Sequence, residues 1–467
     1  MTREYCSPLD IKDIERNFAD IHPALTPAEA LHEANRCLYC YDAPCMHACP
    51  THIDVPGFIK KIASGNLNGS ARVIFDANPI GATCARVCPV EVLCEGACVE
   101  KTLLQKPIEI GRLQRYATDH ALANGKQIFE KGESNGKSIG IIGSGPAGLS
   151  CAAYLVRLGY DVTVYERKPL AGGLDTYGMA EYKMPQTVSI AEVERAAAMG
   201  VKFLLNTEIV AGDDTTEILG EVNRVSVDLL KEWHDLVFVG AGLGGTNQLG
   251  IPGEELEGVY DALHFIEKVK TREWAKVPLG RIVAVIGAGN TAIDAVTQAK
   301  RLGAERVIMV YRKTAKEMPA YDYEYELAKQ DGIEFVWQAA PIGIVSDESN
   351  RITSLRCERT DGSLELFEIP CDMVIKAVGQ TKRKAFFEKV IGVDTDEGGR
   401  VMVNELMQTT DPKIFAGGDC VNGGGEAVEA AQMGKLAAQG IHQTLTGEKV
   451  EFAGSGVAVV QKDTAEH

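Results

Sequence analysis

The sequence predicts an α/β fold in which a helical, cysteine-rich domain precedes two domains of alternating strands and helices. Three observations support this prediction. Eight of the thirteen cysteines lie between residues 37 and 98. A strand–helix–strand pattern with a glycine-rich first turn begins at residue 138, and the same pattern begins again at residue 282. A glycine-rich segment at residues 414–419 is expected to fold back onto the first pattern, which makes the second pattern an insertion.

Length, charge and hydropathy exclude several classes of protein. The 467 residues are enough for several hydrophobic cores. The formal net charge of −17 argues against nucleic-acid binding, which needs a basic face. No run of about twenty apolar residues is present, so no membrane span is expected. Residues 1–10 lack a basic and apolar leader, so we expect unpaired cysteines and a cytoplasmic location.

Residues 1–124 are predicted to form helices joined by cysteine-bearing loops. The segment Thr26-Pro27-Ala28-Glu29 is a capping box with proline at the first helical position, so a helix should run from Pro27 into Cys37. Residues 56–64 and 111–124 are expected to form further helices. The polar, glycine-dotted stretch 125–137 is predicted to be a linker.

The cysteines fall in two runs of four. These are Cys37-x2-Cys40-x4-Cys45-x3-Cys49-Pro50 and Cys84-x3-Cys88-Pro89-x4-Cys94-x3-Cys98. Closely spaced cysteines followed by proline are typical of iron–sulfur cubanes, in which the last cysteine of a run reaches a second cluster. Structural zinc is the alternative, because zinc also takes four thiolates. The Cys-Pro pairs and the long internal gaps favour iron–sulfur.

The first strand–helix–strand pattern has the features of a dinucleotide site. Strands are predicted at 139–142 and 161–165, with a helix at 147–158. In the turn between them, Gly143 permits a tight bend, Gly145 allows a pyrophosphate to approach, and Gly148 allows the helix to pack on the strand. Glu166, at the end of the next strand, is placed to accept hydrogen bonds from a ribose.

Two further segments indicate that this first site holds FAD. Glycines in Gly172-Gly173-Leu174 would let a flavin approach the chain. Asp419, at the end of 414–419, is positioned for the ribityl chain, and a helix predicted at 426–445 would direct its dipole at the flavin. The residues predicted to bind FAD are Gly143, Ser144, Gly145, Pro146, Ala147, Gly148, Glu166, Arg167, Gly173, Leu174, Gly418, Asp419, Glu426 and Ala427.

The second pattern predicts a nicotinamide nucleotide site. Strands are expected at 283–286 and 307–311, and a helix at 291–302. The second strand is followed by Arg312 and Lys313 instead of an acid, which favours the 2′-phosphate of NADPH over NAD. Two solvated cations at a strand end are the alternative. The residues predicted to bind NADPH or NADH are Gly287, Ala288, Gly289, Asn290, Thr291, Ala292, Arg312, Lys313, Ala377, Val378 and Gly379.

These parts form one predicted electron path. Nicotinamide delivers two electrons as a hydride, an iron–sulfur cubane accepts one, and a flavin converts between the two. The cofactors expected are therefore FAD, NADPH (or NADH) and two [4Fe–4S] clusters. No catalytic side chain is assigned, because hydride transfer needs only alignment. The predicted domains are 1–130 for the clusters, 131–234 with 382–467 for FAD, and 235–381 for NAD(P)H.

The motifs resemble those of the dihydropyrimidine dehydrogenase family, in its N-terminal half or its free-standing electron-input subunit. The chain is also similar to the small subunit of glutamate synthase and to the NADPH-binding subunit of ferredoxin:NADP transhydrogenase. The long gap in Cys88-Pro89-Val90-Glu91-Val92-Leu93-Cys94 resembles the pyrimidine enzyme, as does Ile110-Gly111-Arg112-Leu113-Gln114. In that family the matching glutamine is an unusual cluster ligand.

The resemblance implies a ligand set for each cluster. Cys37, Cys40, Cys45 and Cys98 would hold one cluster, whereas Cys49, Cys88, Cys94 and Gln114 would hold the other. Cys84 would then be spare, although spacing alone leaves the choice between Cys84 and Gln114 open. Arg312 and Lys313 match the family's 2′-phosphate binders. Lys183 stands where the family places a flavin-contacting arginine.

The resemblance also implies a partner. In the long family members an FMN-binding barrel with the pyrimidine site follows this region, and here the chain stops at His467. We therefore expect an electron-input subunit that reduces an FMN- and iron–sulfur-containing pyrimidine reductase subunit. A glutamate synthase or transhydrogenase partner is the first alternative. A disulfide reductase is the second alternative, and it would need a cysteine pair beside the flavin. A zinc scaffold that only binds nucleotides is the third.

Overall fold

The computed structural model describes residues 9–212, 217–219, 222–271 and 274–454. The chain forms two compact units. One, called here the inserted unit, consists of Met1–Ile21, Tyr177–Gln186 and Gly244–Thr381. The other, called here the main unit, consists of His22–Thr176, Thr187–Leu243 and Lys382–His467.

Helices precede the first strand, as expected for the cysteine-rich segment. They are α1 Ile11–Asn17, α2 Pro27–Asn35, α3 Pro44–His47, α4 Val55–Ala63, α5 Leu67–Ala77, α6 Gly81–Val87, α7 Val99–Leu103 and α8 Ile110–Ala123. The Thr26 capping box is present, but α2 ends at Asn35 and does not run into Cys37. The Tyr39 hydroxyl donates to the Ala34 carbonyl at 3.0 Å, which satisfies the end of the helix and turns the chain into the cysteine loop.

Strands and helices then alternate. They are β1 Ser138–Ile142, α9 Pro146–Arg157, β2 Asp161–Tyr165, α10 Leu174–Tyr177, α11 Gln186–Ala198, β3 Lys202–Leu204, β4 Thr207–Val210, β5 Glu217–Leu219, β6 Val222–Ser226, α12 Val227–Trp233, β7 Leu236–Val239, β8 Val259–Asp261, α13 Ala262–Lys270, β9 Ile282–Ile286, α14 Asn290–Leu302 and β10 Arg306–Val310. The remaining elements are α15 Asp322–Gln330, β11 Glu334–Val336, β12 Ala339–Ser346, β13 Ile352–Arg359, β14 Leu366–Pro370, β15 Met373–Lys376, α16 Lys384–Phe386, β16 Ile414–Ala416, α17 Asp419–Asn422 and α18 Ala427–Thr446.

The main unit contains a parallel sheet in the order β16-β7-β1-β2-β3. Its outermost strand, β16, comes from the C-terminal part of the chain and pairs with β7. The predicted return of residues 414–419 to the first pattern is therefore confirmed. Helix α18 packs on α9, and its Gly434 is needed because a Cβ there would lie 2.2 Å from the Ala147 carbonyl oxygen.

The inserted unit contains a second parallel sheet in the order β11-β10-β9-β15-β8, beside an antiparallel sheet of β12, β13 and β14 that the sequence did not predict. This unit also takes in Met1–Ile21 and Tyr177–Gln186, which the sequence assigned to the cysteine and FAD domains. Ile14 and Phe18 are buried with Tyr182 and Trp274 in its core, which explains the difference.

The predicted fold class is confirmed: the chain is mixed α/β, and its parallel sheets follow a helical N-terminal domain in sequence. The predicted βαβ elements lie within one residue of those observed. Among the described residues, no helix has the length and apolar character to cross a membrane.

Candidate functional site

Four cysteines from the two runs line one cavity in the helical domain. They are Cys37, Cys40, Cys45 and Cys98, and we call them the first cysteine site. Helix α3 begins at Pro44 and places Cys45 in its first turn, and Cys98 is the residue that precedes α7. Leu38 lines the same cavity and is 52% exposed, so the first cysteine site lies at the protein surface. These are the four residues that the resemblance assigned to one cluster.

Burial and mutual proximity make these thiols suited to a metal cluster. Burial, together with the charges of Cys98, Cys37 and Cys40, raises the pKa of Cys45 to about 12. Several buried thiolates repel one another unless a cation compensates their charge. The iron of a cluster supplies that charge and binds the thiolates directly. The donor set therefore fits a [4Fe–4S] cluster. Within the described ranges, no three His, Cys, Asp or Glu side chains are grouped as the ligands of a single metal ion would be.

The remaining cysteines form a second, deeper group. Cys49, Cys84, Cys88 and Cys94, together with Gln114, are called here the second cysteine site. A hydrogen bond with Cys84 and burial raise the pKa of Cys88, and the charges of Cys49 and Cys94 add to this. Burial raises the pKa of Cys94, with Cys49 again contributing. The three predicted cysteine ligands are thus close enough to interact.

Cys84 lies on α6, and Gln114 lies on the neighbouring helix α8. The Cys84 sulfur accepts a hydrogen bond from the Asn78 amide at 3.1 Å and is almost fully buried. The Gln114 side chain is buried on α8, and its amide nitrogen donates to the Gly81 carbonyl at 2.7 Å. That bond leaves the amide oxygen of Gln114 as the end that could coordinate iron. The choice between Cys84 and Gln114 as a ligand stays open.

The first dinucleotide loop has the predicted geometry. Gly143 has a φ of +92°, and a Cβ there would lie 2.6 Å from the Gly240 carbonyl oxygen. Glu166 is buried and accepts hydrogen bonds from the Ser144 backbone at 3.1 Å and from its hydroxyl at 2.6 Å. The strand end and the glycine loop are therefore locked together where a ribose and a pyrophosphate would lie.

The C-terminal segment meets the same loop. At Gly418, which has a φ of +80°, a Cβ would lie 3.0 Å from the Ala147 side chain. Asp419 begins α17, and burial raises the pKa of its carboxyl to about 6. Glu426 caps α18 in a capping box with Glu429. The structure thus brings the predicted residues 417–419 to the glycine loop.

Sequence reasoning missed a third glycine-rich segment of this site. Gly240 follows β7, and a Cβ there would lie 3.2 Å from the Gly148 backbone nitrogen. Arg383, also missed, donates to the neighbouring Ala241 carbonyl at 3.1 Å, and burial lowers its pKa. The signal was present in the sequence, because four glycines follow an apolar strand within residues 240–245.

The second dinucleotide loop lies in the inserted unit. Gly287 has a φ of +127°, and a Cβ there would lie 2.2 Å from the Ala377 carbonyl oxygen, which places predicted residue Ala377 at the loop. Arg312 and Lys313 follow β10 with exposed side chains. Two hydrogen bonds hold their backbone in place. The Thr360 hydroxyl donates to the Arg312 carbonyl at 2.6 Å, and the backbone N–H of Gln338 donates to the Lys313 carbonyl at 3.0 Å.

Lys183 has partners that the sequence did not predict. Its ammonium lies 2.5 Å from both the Asp294 and Glu324 carboxylates of the inserted unit. These acids raise the pKa of Lys183 against the lowering effect of burial. Its assignment to the flavin stays a prediction.

The cysteines outside the two runs that the structure describes are poor candidates for redox catalysis. Cys151, Cys357, Cys371 and Cys420 are all buried and unpaired. Cys357 and Cys371 lie close enough to interact, but burial raises the pKa of each thiol to about 12. Reactive cysteines need a depressed pKa, so the pair does not resemble a dithiol active site.

Two family models match the chain. One, described as pyridine nucleotide-disulphide oxidoreductase, matches residues 137–434. The other, described as dihydropyrimidine dehydrogenase domain II, 4Fe-4S cluster, matches residues 14–126. The chain belongs to the pyridine nucleotide-disulphide oxidoreductase family. It is an NAD(P)H-dependent flavin oxidoreductase with a [4Fe–4S] domain ahead of its dinucleotide-binding fold.

Individual relatives agree with this placement. The NAD-dependent dihydropyrimidine dehydrogenase subunit PreT of Escherichia coli O157:H7 is 35% identical over 93% of this chain and 98% of its own length. The glutamate synthase (NADPH) small chain of Escherichia coli K12 is 34% identical over 93% of this chain and 95% of its own length. The structure of Lactococcus lactis thioredoxin reductase, 23% identical, has a TM-score of 0.54 and covers 67% of this chain and 100% of its own. That last likeness is one of fold.

Proposed function

We propose that this chain is the electron-input subunit of a two-component dihydropyrimidine dehydrogenase. NADPH would be oxidised at FAD, and electrons would leave singly through two [4Fe–4S] clusters to an FMN- and iron–sulfur-containing partner that reduces uracil or thymine. One observation carries the proposal: both cysteine sites lie in the same compact unit as the glycine loop that is expected to bind the flavin. We expect this complex in the cytoplasm.

The packing of the cysteine sites supports an order for the two clusters. Cys84 belongs to the same hydrophobic core as the parallel sheet of the main unit, and Cys88 packs against that core. Cys37, Cys45 and Cys98 pack against a separate helical core, and so do Cys49 and Cys94 of the second site, which therefore spans both cores. The second cysteine site would therefore accept electrons from the flavin, and the first site, at the surface, would deliver them to the partner.

The chain's own residues would act by holding and orienting. Flavin and clusters supply the electron chemistry when bound. Glu166 would accept from the ribose, the Gly143–Gly148 loop would receive the pyrophosphate, and the N-terminus of α18 would favour negative charge on the ring. No side chain needs to move a proton for hydride transfer.

NADPH is proposed as the donor because Arg312 and Lys313 have exposed side chains at the strand end beside the second loop. Arg312→Asp should reverse the preference, because a carboxylate repels the 2′-phosphate and accepts from a 2′-hydroxyl. The ratio of kcat/KM for NADPH and NADH measures this effect. An unchanged ratio would refute the assignment.

The glutamate synthase small chain supports a second candidate, because its identity to this chain is nearly the same as that of PreT. Anaerobic affinity purification from the source cell, followed by identification of the co-eluting chain, separates the two. We expect a pyrimidine reductase subunit to co-elute, and we expect the purified pair to reduce uracil or thymine with NADPH. Recovery of a glutamine-cleaving subunit would reject the pyrimidine proposal.

A further inference from the structure

Lys435 is a fully buried lysine whose charge the dinucleotide sites do not use. It lies in the middle of α18, within the apolar stretch 430–438, and is 0% exposed. Its ammonium donates to two backbone carbonyls, those of Thr51 at 3.1 Å and Ala453 at 2.8 Å. The ring of Tyr154 lies 5.8 Å from it. Burying an ammonium is costly, so a lysine kept at such a position needs an electrostatic reason.

The partners of Lys435 lead to the second cysteine site. Thr51 is fully buried, and its hydroxyl lies 3.4 Å from the Cys49 sulfur in a hydrogen bond. Burial lowers the pKa of Lys435 to about 7, and the Cys49 thiolate acts against this by favouring the charged form of the lysine. Asp76 and Arg157 also act on the lysine but pair with each other at 2.6 Å. Cys49 is therefore the negative group whose charge the lysine can offset.

The other fully buried lysine shows the contrast. Lys270, in the inserted unit, is also 0% exposed and also donates to a backbone carbonyl, that of Met184. It lies 3.6 Å from the Glu181 carboxylate, which compensates its charge. For Lys435, no ion pair to a carboxylate is found in the described part of the chain.

Lys435 also lies on the helix whose N-terminus would face the flavin. Residue 435 is eight positions after Ala427, so its Cα lies about 12 Å along α18 from the end that would face the flavin. The same helix thus carries the flavin-facing terminus and the ammonium next to Cys49. Reduction adds one negative charge to a cluster, and a nearby cation stabilises that state.

We propose that Lys435 is a positioning residue that raises the reduction potential of the cluster at the second cysteine site. It acts in two ways: its charge favours the reduced cluster, and its bond to Thr51 holds the threonine hydroxyl against the Cys49 sulfur. Both effects bias the electron leaving reduced flavin toward this cluster. This inference rests on the proposed function, because it requires a cluster held by Cys49.

The test is an anaerobic redox titration of the full-length protein, purified with its flavin and iron and followed by electron paramagnetic resonance. Lys435→Met should shift the midpoint potential of one cluster to more negative values and leave the other cluster and the flavin unchanged. Lys435→Arg should restore most of the shift. Thr51→Val should shift the same signal in the same direction by less, since it removes only the hydrogen bond to sulfur.

Controls make the outcome decisive. Lys270→Met removes an equally buried charge and should leave both cluster potentials unchanged. If Lys435→Met loses iron, Lys435→Gln carries the same test, because an amide can still donate to a carbonyl. Wild-type potentials in a neutral variant that retains its iron would overturn the proposal. Loss of iron from both neutral variants would overturn it too, since the lysine would then build the site and not tune it. A wild-type protein that holds fewer than two clusters would instead refute the proposed function.

Discussion

The two cysteine sites lie in the same helical domain and have similar spacing, but their surroundings differ in depth and in charge. The first site lines a surface cavity with the exposed Leu38 and with Glu100, a buried carboxyl whose Oε2 has no hydrogen-bond partner among the described residues. The second site is enclosed by buried polar groups, including Asn78 and Thr51. Its charged neighbours have both signs: the ammonium of Lys435 and the carboxyl of Glu95 next to Cys94.

This difference shows that the cysteine spacing does not determine the environment of a cluster. Lys435 would raise the potential of the second cluster and Glu100 would lower that of the first, because net charge and hydrogen bonds near the sulfur both tune a cluster. The lysine comes from α18, far along the sequence from Cys49. The contrast between the sites is therefore a product of tertiary packing.

The largest expected effect comes from removing a ligand. Cys45→Ser should remove the cluster of the first site and lower the iron content from about eight to about four atoms per chain, because a cubane needs its thiolates. Gln114→Leu should perturb the second cluster, whereas Cys84→Ser should leave both intact. The contents of iron and acid-labile sulfide, each relative to flavin, measure the effects of all three substitutions. If Cys84→Ser abolishes a cluster, Cys84 and not Gln114 completes the second site.

The second expected effect concerns Glu192, which caps the helix leading to the second site. This buried carboxyl of α11 accepts hydrogen bonds from the Ala82 backbone at 2.7 Å and the Thr83 hydroxyl at 2.6 Å. Burial raises its pKa from 4.5 to about 7. A raised pKa means that the contribution of Glu192 to stability is greatest below pH 4.5 and is lost as the pH rises through 7.

Glu192→Gln should remove this pH dependence. Relative to wild type, the variant should gain stability with rising pH, by up to about 3 kcal/mol over the whole titration and roughly half of that between pH 6 and pH 8.5. Anaerobic unfolding followed by flavin fluorescence measures the difference. Glu194→Gln, an exposed change on the same helix, should follow the wild-type profile. Parallel profiles for Glu192→Gln and wild type would contradict the expectation.

The third prediction compares matched polar contacts at the two sites. Asn78, fully buried, donates to Cys84 and accepts from the Ile80 backbone amide at 3.1 Å. Asn78→Ala leaves that amide unpaired and should cost about 2 kcal/mol in the free energy of unfolding. At the first site, Asp42 bonds His47 at 2.5 Å with both side chains exposed. Asp42→Ala should cost about 0.5 kcal/mol or less. Equal losses would mean that the two sites do not differ in depth.

Much of the fold could be predicted because its signals are local. Apolar strands and glycine turns predicted the two βαβ units to within one residue, since each signal depends on neighbours in sequence. The end of α2 was wrong because Tyr39 caps it from the following loop. The antiparallel sheet β12–β14 was missed, although Asp361-Gly362 between β13 and β14 is a typical hairpin turn.

The candidate sites were predictable to the same extent. The structure brings together the four cysteines of the first site, although their role as ligands stays a prediction. Gly240, Arg383 and Lys435 were missed. The first had a local signal in its glycine cluster, whereas Lys435 inside an apolar helix looks like a surface residue until its contact with Thr51 is seen. Pairing partners distant in sequence, such as Asp294 for Lys183, cannot be predicted from spacing.

The smallest effect on stability, and the sharpest test of the surface role, concerns the rim of the first site. Leu38 and Tyr41 are 52% and 105% exposed, so Leu38→Ser with Tyr41→Ser should change the free energy of unfolding by about 0.5 kcal/mol or less. If electrons leave through this site, the double variant should raise KM for the co-purified partner several-fold, because it removes apolar contact area over the cavity. Ferricyanide reduction, which needs no docked protein, should keep its wild-type rate and serves as the internal control. Trp233→Ser, an exposed aromatic change in α12, should alter neither. An unchanged KM in the double variant would mean that electrons leave the protein at another surface. The two cysteine sites would then differ in depth but not in the functional role proposed for the first.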